Sequence, residues 1–120
     1  MKDENTISQA VARHVRMSPQ KGRLVADLIR GRTVGEALTI LRFSEKKKIS
    51  GTIEKVLRSA IANAQQKVSN IDVDKLFISS ITINGGPMMK RIRPAPMGRA
   101  YRVLKRTSHV KISLEENKGR

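Results

Sequence analysis

Residues 76–114 read LFISSITINGGPMMKRIRPAPMGRAYRVLKRTSHVKISL, and the two ends of this run share a rhythm. Over Leu76 to Ile83, the residues Phe77, Ile81 and Ile83 alternate with Ser80 and Thr82. At the other end Val110, Ile112 and Leu114 alternate with His109, Lys111 and Ser113. A period of two puts one face of a strand on a core and the other in water. Between these strands Gly85-Gly86-Pro87 interrupts the first, and Arg93-Pro94-Ala95-Pro96-Met97-Gly98 is rich in residues that bend or end strands. The middle therefore reads as a long hairpin with an irregular tip near Pro94.

No acid falls between Asp74 and Glu115, whereas Lys75, Lys90, Arg91, Arg93, Arg99, Arg102, Lys105, Arg106 and Lys111 supply nine positive charges. About 12 residues a side, rising about 3.3 Å each, reach roughly 40 Å. A compact chain of this length has a radius of gyration of only about 14 Å. A lone two-stranded ribbon is marginal in water, and like charges weaken it further until anions surround it. The segment predicts an arm built to be buried in nucleic acid. Arg91, Arg93, Arg99 and Arg102 are its leading contacts, because a guanidinium can hold two phosphate oxygens where an ammonium is a point charge. Met88, Met89 and Met97 read either as soft contacts or as adaptable filler.

Upstream, Thr6 to Met17 reads as a short strand with Val11, Arg13, Val15 and Met17 on one face. Ser18-Pro19 starts a helix over Pro19 to Arg30, with serine as cap and proline's fixed φ at the first position. Leu24, Val25, Leu28 and Ile29 supply its apolar spacing, and Gly31 falls where a left-handed cap is expected. Thr33 and Glu36 have capping-box spacing before a brief second helix carrying Ala37, Leu38 and Leu41 and ending near Phe43. Ser44 is placed to cap the longest helix. Its stripe is Ile49, Ile53, Val56, Leu57, Ala60, Ile61, Ala64 and Val68, and its other face carries Lys46, Lys47, Lys48, Lys55 and Arg58. Asp72 and Asp74 read as a turn.

Lys plus Arg number 25 against 10 Asp plus Glu in 120 residues, a net charge of +15 that makes a polyanion the default partner. The absence of cysteine removes disulfides, thiolate zinc sites and thiol nucleophiles. Phe43, Phe77 and Tyr101 are the only aromatics, too few for a base-stacking platform. No apolar leader follows Met1, and no run approaches the roughly 18 apolar residues of a membrane span. No phosphate-binding glycine loop occurs. His14 and His109 lie far apart in sequence without a neighbouring carboxylate, so they read as strand residues or RNA contacts rather than as metal ligands or general bases. No cofactor is expected, and catalysis is disfavoured. Charge alone leaves two other classes open. One is an architectural DNA-binding dimer with basic β-arms; the other is an RNA-modifying or RNA-cleaving enzyme.

The run Ser18-Pro19-Gln20-Lys21-Gly22-Arg23-Leu24-Val25-Ala26-Asp27-Leu28-Ile29-Arg30-Gly31 closely resembles the first helix of the bacterial large-subunit ribosomal protein twenty-two family. So do Ser59-Ala60-Ile61-Ala62-Asn63-Ala64, Gly86-Pro87-Met88-Met89-Lys90-Arg91, Gly98-Arg99-Ala100 and Lys105-Arg106-Thr107-Ser108-His109-Val110. The resemblance implies an α+β fold, three helices packed on a small three-stranded antiparallel sheet, with a long extended β-hairpin arm. It also implies a structural, non-enzymatic role on the surface of the large subunit, binding large-subunit ribosomal RNA and supporting assembly. The hairpin would line the nascent-peptide exit tunnel, its tip beside the macrolide site. Partners would be that RNA, neighbouring ribosomal proteins and the passing nascent chain, in a cytoplasmic or organellar ribosome.

The chain then divides into a body over about 1–83 and 107–114, an arm over about 84–106 and a tail over 115–120, all one RNA-binding domain. Candidate RNA contacts are Arg13, Arg16, Lys21, Arg23, Lys90, Arg91, Arg93, Arg99, Arg102, Lys105, Arg106 and His109. By position, the tunnel-lining tip is Met89, Lys90, Arg91, Ile92, Arg93, Pro94, Ala95, Pro96 and Met97. The family usually carries arginine after the arm's proline, where this chain has Ala95.

Overall fold

The alternating segments at either end of residues 76–114 become the two strands on which the sheet is built. A computed structural model describes residues 6–86, 89–94 and 100–116, and for 89–94 and 100–105 it gives strand pairing alone. The elements run β1 (Thr6–Val15), α1 (Pro19–Ile29), α2 (Val34–Arg42), α3 (Lys47–Lys67), a 3₁₀ turn (Val73–Lys75), β2 (Leu76–Gly85), β3 (Met89–Pro94), β4 (Ala100–Lys105) and β5 (Ser108–Glu116). The expected α+β architecture holds: three helices and a three-stranded antiparallel sheet, ordered β1-β5-β2. Strands β3 and β4 pair with each other in a separate two-stranded antiparallel sheet.

In β2 a register shift between Ile78 and Ser80 breaks the alternation, so Phe77 is half-buried and does not share the face of Ile81 and Ile83 that the sequence predicts for it. The buried residues are Leu76, Ile78, Ile81 and Ile83 of β2 with Val110, Ile112 and Leu114 of β5. Onto that face α3 lays Ile53, Val56, Leu57, Ala60 and Ala64, its positions at steps of three and four. Helix α3 packs on β1 and β5, α1 packs on β2, and α2 fills the space beside both helices. Polar ties fix these layers: Ser8 Oγ donates to the Ala60 carbonyl at 2.8 Å, and Asn63 Nδ2 to the Gln9 carbonyl at 2.9 Å. The 3₁₀ turn starts where the acids predicted one, with the Asp72 carboxylate accepting the Asp74 N–H.

Three further local expectations are corrected. The buried stripe of α1 is Gly22, Val25, Ala26 and Ile29, and Leu24 and Leu28 face outward. The cause is Gly22: a Cβ there would stand 3.0 Å from Ile83 Cδ1 and 3.1 Å from Met17 Cε, so its absence lets the helix sink on that side. Ser18 holds the N-cap position but makes no side-chain cap; its carbonyl accepts the Gly22 N–H at 3.0 Å. Ser44 does not cap α3, which begins at Lys47; its hydroxyl accepts the Lys46 N–H in the preceding turn. Two signals held. Thr33 caps α2 by accepting the Glu36 N–H at 3.3 Å, and Gly31, at φ +79°, ends α1. The Gly31 N–H then reaches the Ile78 carbonyl, tying the helix end to β2.

The longest dimension of the chain is 66 Å against 31 and 20 Å, with a radius of gyration of 17.4 Å. A compact body of this length would give about 14 Å.

Candidate nucleic-acid interface

The chain leaves the three-stranded sheet after Gly85 and re-enters it at Ser108, which are Cα partners. Four segments meet at this root: the end of β1, the start of α1, the end of β2 and the start of β5. Ser108 Oγ donates to the Met17 carbonyl at 2.7 Å, and the Gly86 N–H donates to the Thr107 carbonyl at 2.9 Å.

The register of β1 against β5 shifts between Ala12 and Val15, and within that bulge His14 adopts φ +56°. A side chain in this region costs of order 1–3 kcal/mol unless its surroundings impose it. Here the twist aims the His14 N–H at His109 Nδ1, 3.1 Å away, and sets the two imidazoles edge to face with centroids 4.9 Å apart. The histidines that sequence separates are thus neighbours. With Nδ1 accepting, the proton of the neutral His109 ring sits on Nε2, so that edge is a donor.

Gly86 lies against the same ring. A Cβ there would stand 2.6 Å from Thr107 Oγ1 and 3.2 Å from His109 Cε1. Gly86→Ala is expected to cost about 1–3 kcal/mol in urea unfolding through overpacking and to speed exchange of the backbone amide at that position, which donates to the Thr107 carbonyl. Gly85→Ala, whose Cβ would stand 3.8 Å from Pro19 Cγ in ordinary contact, is the control.

Around this lock stand Arg13, Arg16, Lys21, Arg23 and Arg106, all exposed. Arg23 is anchored by its Nε–H to the Ile83 carbonyl at 3.0 Å. Among the described residues none of the five forms an ion pair. Elsewhere Arg30 pairs with Asp27, Arg32 with Glu36 at 3.8 Å and Arg58 with Glu54 at 3.3 Å. The first turn of α1 carries no acid, and Lys21 stands near its positive end, where a cation is locally unfavourable. That arrangement suits an incoming anion. At the other end of the sheet lie Asp72, Asp74, Glu115 and Glu116. Among the described residues these four acids lie away from the root.

Of the remaining predicted contacts, Lys90, Arg91 and Arg93 lie on β3, and Arg102 and Lys105 on β4. In register Lys90 faces Leu104, Arg91 faces Val103, Arg93 faces Tyr101, Arg102 faces Ile92 and Lys105 faces Met89. No two of these cations are directly opposed, which spares the ribbon its worst repulsion. Met89 to Pro94 of the predicted tip form β3, whereas Ala95, Pro96, Met97 and Arg99 lie outside the described residues, as does Met88.

Two residues outside the list of candidate contacts gain weight from the structure. His14, which the sequence leaves as a strand residue or an RNA contact, does so by its contact with His109. Lys111 is exposed at mid-sheet, between Val11 and Thr82 in register. The alternation of β5 already put Lys111 on the side of His109, so that signal was present in the sequence.

The family profile described as ribosomal protein L22p/L17e matches residues 10–115. The chain belongs to this ribosomal protein family. Similar proteins include the large ribosomal subunit protein uL22 of Solibacter usitatus, 56% identical over 111 residues that cover 92% of this chain and 97% of that one. The uL22 of Desulfotalea psychrophila is 52% identical over 110 residues, covering 92% and 98%. That of Clostridium novyi is 47% identical over 109, covering 91% and 96%. Membership of the L22 family makes the chain a structural protein and not an enzyme, and takes the place of the DNA-binding and RNA-cleaving readings.

Proposed function

We propose that this L22-family chain is a constituent of the large ribosomal subunit that binds large-subunit ribosomal RNA through its arm and arm root, supports subunit assembly, and lines the nascent-peptide exit tunnel with the hairpin tip. The observation that carries the RNA reading is the set of cations at the root, Arg13, Arg16, Lys21, Arg23 and Arg106, without an ion-pair partner among the described residues and gathered from three segments, the end of β1, the start of α1 and the approach to β5, where the chain departs for β3. Phosphates supply the countercharge that the protein itself gives to Arg30, Arg32 and Arg58. The reading further divides the domain into an RNA-anchored body and an arm, and places the chain in the cytoplasmic ribosome of a bacterium, the setting of the relatives. No helix among the described residues is long and apolar enough to cross a membrane.

Lys90, Arg91, Arg93, Arg99, Arg102 and Lys105 extend the contact along the arm, and His109 offers Nε2–H at its base. The segment Met89 to Met97 reaches the tunnel wall, where Ala95 makes a smaller and uncharged contact than the arginine usual in the family. The test is removal of residues 88–96. The shortened chain is expected to keep its circular dichroism and part of its RNA affinity, and to lose crosslinks to a stalled nascent peptide. Complete loss of RNA affinity by a folded body would contradict the division of labour.

A further inference from the structure

Apart from the proposed RNA interface, the described residues carry an apolar surface that nothing else among them covers. Leu24, Leu28 and Phe43 are 56%, 53% and 77% exposed. All three line a single groove of about 410 Å³ between α1, the end of α2 and the start of α3, with Val25 and Ile40 also in its wall. Three large apolar side chains converging on one cleft mark an interaction site rather than scattered exposure.

The mouth of the groove has a definite charge. Lys46, which also lines it, is the N-cap of α3; no side chain caps that helix, and its first turn holds no acid. Arg42, Lys47 and Lys48 stand beside it, Lys47 Nζ donating to the Arg42 carbonyl at 2.9 Å. Glu45 is the single carboxylate in the wall. An apolar cleft under a cationic rim fits an apolar side chain with a carboxylate close by.

We propose that this groove seats a segment of a neighbouring large-subunit protein, one apolar side chain filling the cleft and an adjacent Asp or Glu lying against Lys46, Lys48 and the start of α3. The proposal rests on the chain being a large-subunit constituent. A nucleobase fits less well, because five of the eight lining residues are Leu24, Val25, Leu28, Ile40 and Phe43, and only Ser44, Glu45 and Lys46 could meet its polar edges. A second copy fits poorly too, because a two-fold contact would set the cationic rim against itself.

The test replaces Phe43 with the photocrosslinker p-benzoylphenylalanine in otherwise intact large subunits. The expected product joins Phe43's position to one ribosomal protein, in a peptide with an apolar residue beside Asp or Glu. Leu28→Asp in the same chain lowers that yield at least about tenfold, as loss of an apolar anchor does, while RNA binding by the purified chain is unchanged. Crosslinking to RNA, to a second copy or to a peptide without an acid overturns the proposal, as does no crosslink or a yield indifferent to Leu28→Asp. Weakened RNA binding by the Leu28→Asp chain also overturns it, by placing RNA in the groove. Absence of the wild-type chain from large subunits would defeat the ribosomal reading itself, whereas the other contrary outcomes defeat the groove alone.

Discussion

Raising salt from about 50 to 200 mM is expected to weaken binding of the intact chain to large-subunit ribosomal RNA by about 10³–10⁵-fold, the loss typical of six to ten phosphate contacts. The count follows from the fold. Five exposed cations without carboxylate partners among the described residues surround the arm root, and Lys90, Arg91, Arg93, Arg102 and Lys105 continue along β3 and β4. Each neutralised phosphate releases condensed counterions, so log K falls by about 0.7 to 0.9 per contact for each tenfold rise in salt. Filter binding at four or more salt concentrations gives the slope. A slope no steeper than about −2 would leave room for only two or three phosphates and would contradict the interface.

Neutralising the root alone has the second large effect. In Arg13→Gln, Arg16→Gln, Lys21→Gln, Arg23→Gln and Arg106→Gln combined, five contacts are removed, so the salt slope becomes shallower by about 4 and affinity near 0.1 M salt falls by about 10³–10⁴-fold. The fold should survive, since exposed substitutions of this kind mostly stay within about 0.5 kcal/mol. Arg23 is the exception, because its hydrogen bond to the Ile83 carbonyl is lost at a cost of about 1 kcal/mol. The matched control changes Arg42, Lys48, Lys55, Arg58 and Lys67 to Gln, an equal loss of charge away from the root. It is expected to lower affinity far less. Equal losses in the two proteins would mean that net charge, and not the root, governs binding.

The parts of the fold legible in the sequence are those set by local rules. Alternation at Ile81, Ile83, Val110, Ile112 and Leu114 identified β2 and β5 because one face of each is buried. The steps of three and four from Ile53 to Ala64 identified α3, and Thr33 with Glu36 located the start of α2. Local rules failed where a tertiary contact outweighs them. Counting apolar residues turned α1 onto Leu24 and Leu28, because a count sees Gly22 as nothing, whereas close approach to Ile83 and Met17 makes it the point on which the helix rests.

The candidate site is legible in composition and not in geometry. An acid-free stretch of nine cations pointed to the arm directly. The gathering of Arg13, Arg16, Lys21 and Arg23 beside Arg106 depends on β1 pairing with β5, a contact between residues some 90 positions apart, as in Ser108 Oγ to the Met17 carbonyl. The contact of His14 with His109 depends further on a bulge and a left-handed residue that no local pattern announces.

A density map of the assembled large subunit, read at the arm root, is the most direct trial of the account. RNA phosphates should lie within ion-pairing distance of Arg13, Arg16 and Arg106, with β3 and β4 enclosed by RNA beyond them. Finding those three guanidiniums in open solvent, or covered by protein carboxylates while the ribbon projects away from RNA, would contradict it.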